Sequence, residues 1–186
     1  MTKISTYLSV SLIVISFIIG VGAGYSFTPQ YTLSMYEKNS MDLGRADKWV
    51  DLRYINAMIA HHRGAILIAI QAEKSGRPEV QNLAKDIQKN EPVAIAELYA
   101  WKKNWYGDTK KVADPTVPNL GSYNDTFDLR FLNAIIAHHQ NGLIMTSEIK
   151  TKSSRNEILD NANAVEKFLT ESGEMLKGWR TTWYNI

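Results

Sequence analysis

The sequence contains no cysteine. That excludes disulfides, thiolate metal sites, iron–sulfur clusters and cysteine nucleophiles. It leaves the compartment open, because an exported protein can do without disulfides. Charge of one sign is not in excess: the formal net charge is +2. With no long basic run and no basic-aromatic cluster, nucleic acid is not an expected partner. No stretch alternates convincingly like a strand. No Glu-x-x-His occurs, whereas a ferritin-type di-iron oxidase needs that pair on two helices plus two further Glu. A phosphate loop, a nucleotide signature and a nucleophile–base–acid constellation are also missing, so the chain is read as non-enzymatic. Histidine is scarce, with four in 186 residues.

All four histidines fall in one stretch that occurs twice. Residues 51 to 62 read D-L-R-Y-I-N-A-M-I-A-H-H, and residues 128 to 139 read D-L-R-F-L-N-A-I-I-A-H-H. The pairs are His61-His62 and His138-His139, offset by 77 residues. Trp101, Trp105 and Tyr106 recur as Trp179, Trp183 and Tyr184, offset by 78, so one extra residue lies in a turn.

Residues 4 to 27 carry no charge, and Leu12 to Ile19 is nearly all Leu, Ile, Val and Phe. A membrane-spanning helix needs roughly 20 apolar residues. Lys3 precedes the run, which orients the N-terminus inward and the remainder outward. The segment 1–24 is either a signal peptide, with small residues at Val21-Gly22-Ala23, or an uncleaved anchor. Both place the remainder outside the cytoplasm, in the periplasm or at the cell surface. Residues 25–46 read as a linker.

Beyond it, four stretches have helical spacing. The first begins near Asp47 and carries Ile55, Met58, His62, Ala65, Ala69 and Ala72, with Ile59, Ile66, Leu67 and Ile70 widening the buried face. Gly76 and Pro78 mark the turn. The second has the stripe Val80, Leu83, Ile87, Glu91, Ala94, Leu98, Trp101, Trp105, broken by Glu91 and by Pro92, which should kink it. Residues 108–124, with Pro115, Pro118 and Gly121, read as a connector. The third starts near Asn124 or Asp125. The fourth follows capping-box spacing at Ser154 to Glu157 and repeats the stripe at Ile158, Ala162, Val165, Leu169, Ser172, Leu176, Trp179 and Trp183. The expected architecture is all-α: an antiparallel four-helix bundle built from hairpins 47–107 and 125–186 about a pseudo-two-fold axis, preceded by the apolar N-terminal helix.

Adjacent helical residues point about 100° apart. One His of each pair can therefore face the bundle axis and the other a helix boundary. Imidazole is the commonest side-chain ligand for copper and zinc, and thioether favours copper(I). Four imidazoles with Met58, three residues before His61, and Met145, two turns after His138, suit copper, with zinc as the second candidate. Core packing is the plainer reading for both methionines. Glu91 is a ligand, an acceptor for an imidazole N–H, or a partner of Arg63. Asp51 and Asp128 read as N-terminal charge stabilisers or salt bridges at helix boundaries.

At these residues the sequence resembles the family known as domain of unknown function 305. The shared pattern is D-x-x-[aromatic]-[aliphatic]-x-x-[Met/Ile]-x-x-H-H, then a second helix ending W-x-x-x-W-Tyr. It covers both repeats, about residues 47 to 185, as in a tandem member. The resemblance implies an exported, ferritin-like bundle with a copper-associated role, and His61, His62, His138, His139, Met58 and Met145 match the family's positions. Ile135 and Ile68 stand where the other methionine of each copy is expected, and Leu98 and Leu176 where one is expected on the second helix. The expected function is copper binding or sequestration without turnover. The rival is a structural or interaction bundle at the cell surface, in which the His pairs are hydrogen-bonded core.

Overall fold

The computed structural model describes residues 42–186. The apolar segment and most of the linker assigned above lie outside the described residues. Among the described residues there are four helices: α1 Val50–Ala72, α2 Pro78–Tyr106, α3 Phe127–Lys150 and α4 Asn156–Tyr184. No strand occurs among the described residues, and no helix there is long and apolar enough to cross a membrane.

The helix ends follow from local chemistry. Pro78 occupies the first turn of α2, where its missing N–H costs nothing. Gly107 and Asn185 end α2 and α4 in the left-handed conformation, with φ of 62° and 64°. The capping box expected at Ser154 does not form. Arg155 is the extended residue before α4, and its N–H is held by Ser153 Oγ at 3.1 Å, which leaves Ser154 outside the helix. Pro92 lies inside α2, which continues through it from Pro78 to Tyr106.

Helices α1 and α3 enter through the same device. Arg53 Nε donates to the Leu43 carbonyl at 2.6 Å, and Arg130 Nε donates to the Leu120 carbonyl at 2.7 Å. Gly44 and Gly121, which follow those leucines, have φ of 67° and 71°. The repeat therefore reaches back to Leu43, four residues earlier than the first hairpin expected from sequence.

Helix α1 packs on α2, α3 on α4, and α1 on α3. The last contact makes α1 and α3 the spine, and Tyr54, Ile55, Met58, Ile59, Phe131, Leu132 and Ile135 are fully buried there. Ile70 leaves the expected buried face and is 48% exposed.

Two related latches join the hairpins. Arg77, in the first turn region, reaches Asp128 at 3.4 Å and lies over the Trp183 ring at 4.3 Å. Arg155, in the second, reaches Asp51 at 3.2 Å and lies over Trp105 at 4.1 Å. Each turn thus grips the open end of the opposite hairpin, where its chain enters and leaves, which sets α1 antiparallel to α3. Asp128 also accepts the Ser75 hydroxyl at 2.6 Å. Removing a buried acceptor strands its donors, so Asp128→Ala should cost about 1–3 kcal/mol. Asp51→Ala, with one such partner instead of two, should cost less. Urea midpoints of the two variants would show it; equal values would contradict the two-partner account.

Candidate metal centre

The His pairs sit midway along the two spine helices. The antiparallel crossing brings them together, and the His61 and His138 rings stack with centroids 3.9 Å apart and planes 4° from parallel. Stacking this close needs missing side chains. A Cβ on Gly142 would lie 2.7 Å from His61 Nε2 and 2.4 Å from Leu169 Cδ1, and one on Gly64 would lie 3.0 Å from His138 Cε1. Both glycines are slots for imidazole within helices that would otherwise favour alanine. Gly142→Ala should therefore overpack the centre and destabilise by about 1–3 kcal/mol. It should also separate the stacked pair, visible as shifted imidazole resonances. Unchanged melting with unchanged resonances would refute the slot.

Each of three rings has a polar neighbour at one nitrogen and, among the described residues, is left without a partner at the other. His62 Nδ1 meets Glu91 Oε2, and His62 Nε2 is buried with no partner. His138 takes the His61 main-chain carbonyl, and its Nε2 is buried without a partner. His139 takes the Leu169 carbonyl, and its Nδ1 is buried without a partner. A buried polar atom left unpaired costs on the order of 1–3 kcal/mol. Three imidazole nitrogens in that state, on rings that line one cleft, offer lone pairs that a cation can accept.

The electrostatics keep those lone pairs available. Burial, with the neighbouring rings adding to it, pushes His61 well below the usual imidazole range. Burial also lowers His138 to about 3, with His139 and His62 adding to it and the His61 carbonyl opposing. His139 falls to about 4 through burial, opposed by the Glu91 charge and the Leu169 carbonyl. At neutral pH these three rings are uncharged and can ligate.

The pairs form the floor of a cleft of about 660 Å³ between α2 and α4. This departs from a bundle closed on all sides. The stripe residues Leu83, Ala94 and Val165 line the cleft instead of packing across it, and Phe168 is 53% exposed. Asp86, Glu91 and Glu171 also line it, and among the described residues no Lys or Arg does. On the opposite side, a pocket of about 60 Å³ lies beneath the connector, lined by Pro115, Met145 and the other faces of His61 and His138.

The six sequence candidates are not brought together equally. The four histidines meet. Met145 reaches only the connector-side pocket, and Met58 lies wholly within the apolar core, lining neither cavity. Sequence reasoning missed Met175, the only methionine among the described residues that lines the cleft. It stands one residue before Leu176, outside the buried stripe, so no periodicity marks it. Glu91 proves to be the acceptor for a His N–H, while Arg63 pairs with Asp114. Asp51 and Asp128 are the boundary salt bridges described above. Among the described residues, no three His, Cys, Asp or Glu side chains are gathered as a ready-made metal cluster. Stacked rings cannot both aim an in-plane lone pair at one ion, so ligation by all four requires the His61–His138 pair to turn.

Residues 51–126 match the family model described as Domain of unknown function (DUF305), so the resemblance read from the first His-His segment holds. Solved structures of a protein named CopM have the same fold. Its Cu(I)-bound form is 28% identical, with a TM-score of 0.65, covering 74% of this chain and 99% of that one. Its apo form gives 27% and 0.64, covering 72% and 98%. Its Cu(II)-bound form gives 26% and 0.62, covering 72% and 97%. Among curated proteins the chain has no match.

Proposed function

We propose that this protein binds copper at the floor of the α2–α4 cleft and holds or hands it on without chemical turnover. The observation that carries the reading is the set of three buried, unpartnered imidazole nitrogens on His62, His138 and His139. The copper-bound forms of the structurally similar CopM support it. His61 completes the imidazole set once its ring leaves the stack. Carboxylates at the cleft, where no Lys or Arg among the described residues lines the wall, favour entry of a positive ion. Residues 1–24 would deliver the domain outside the cytoplasm as a cleaved signal or a membrane anchor.

The test is copper(I) stoichiometry of the soluble domain against a variant with all four His changed to Ala. The wild type should bind at least one ion and the variant none. Equal binding would refute the site. The stacked His61–His138 pair favours a second reading, in which the rings are merely core of a structural bundle. It requires a melting temperature that ignores added copper.

A further inference from the structure

We infer that Glu91 sets the preference of this site between the two oxidation states of copper, by orienting His62 and by placing one negative charge beside the bound ion. The inference rests on the copper reading above.

The two repeats are not equivalent here. Glu91 and Leu169 occupy matching positions, 78 residues apart. In the second half the His139 ring is held by the uncharged main-chain carbonyl of Leu169. In the first half the His62 ring is held by the Glu91 carboxylate. Asp86 and Glu171 also line the cleft, but both are exposed, whereas Glu91 is partly buried. Of these three carboxylates, Glu91 alone touches a histidine.

Two consequences follow. A carboxylate accepts hydrogen bonds, so its contact with His62 Nδ1 puts the proton on that nitrogen and leaves Nε2 as the free lone pair. The same carboxylate brings one negative charge to four neutral ligands. A copper(I) centre is then neutral overall and a copper(II) centre carries one positive charge. Coulomb attraction scales with the ion's charge, so the Glu91 contribution to copper(II) is about twice that to copper(I) on a free-energy scale. A factor for one ion becomes roughly its square for the other.

Glu91→Gln keeps the size and a hydrogen-bond acceptor but removes the charge. Outer groups on a metal ligand are typically worth about 10–100-fold in affinity. The variant should bind copper(I) about 10-fold more weakly and copper(II) about 100-fold more weakly, each measured by chelator competition with the ion alone. The copper couple should move to higher potential by about 59 mV per tenfold difference between the two losses. Glu91→Asp, which retains the charge, should keep the copper(II)-to-copper(I) affinity ratio within about 3-fold of wild type. Equal losses for both ions in Glu91→Gln, or no loss, would overturn the inference and leave the copper reading standing. Wild-type protein that binds neither ion would overturn the copper reading itself.

Discussion

Acid will unfold this domain through its histidines. Between pH 6.5 and about 4, each ring that resists protonation should remove up to about 1.4 kcal/mol of stability per pH unit. His138, lowered to about 3, and His139, lowered to about 4, both stay neutral in the native state across most of that window. The unfolded chain takes up those protons near 6.5. It therefore binds more protons than the native state, and stability rises with pH. The contribution is fully present above about 6.5 and is lost as pH falls toward the native values. His61, shifted in the same direction for the same reason, adds to the slope. Urea midpoints at stepped pH should fall through this window. A His138→Gln, His139→Gln double variant should show a much shallower decline. Parallel curves for the two proteins would mean that the rings do not govern acid stability.

Copper should reverse that sensitivity. Free ion at 100 times its dissociation constant stabilises a native-only binder by about 2.7 kcal/mol, which for a domain of this size is several degrees in melting temperature. Most copper ligands of the imidazole class lose their ion as protons compete below pH 6.5. Here the low values of His138 and His139 remove that competition down to about pH 4. Affinity measured by chelator competition should then fall less between pH 7 and 5 than it would if every ligating ring titrated near 6.5. A steep loss over that range would show that the rings titrate as exposed imidazoles do, and would contradict their burial.

The pseudo-symmetry was legible because repeated residues do repeated jobs. The His-His offset of 77 and the Trp offset of 78 place one residue in a hairpin turn, and the turns hold Arg77 and Arg155 on equivalent partners. Leu43-Gly44 and Leu120-Gly121 keep the same 77-residue offset. Their role became clear only when Arg53 and Arg130 were seen to reach back to those carbonyls. Periodicity also misread one feature. It assigned Ile70 to the core because that residue lies near the edge of the α1 apolar face. Met58 lies in the apolar core, the packing role that was the plainer reading of its position three residues before His61.

Sequence alone determined the all-α class, the duplicated hairpins and the four imidazoles as the chemically distinctive groups, because helical spacing and repetition are local properties of the chain. Only the tertiary structure decided that α2 and α4 stand apart over a cleft, that Gly64 and Gly142 admit stacked rings, and that Glu91 meets His62 rather than Arg63. Those outcomes depend on how two amphipathic hairpins cross. A stripe of apolar residues says that a face avoids water, but not which neighbour covers it or how completely.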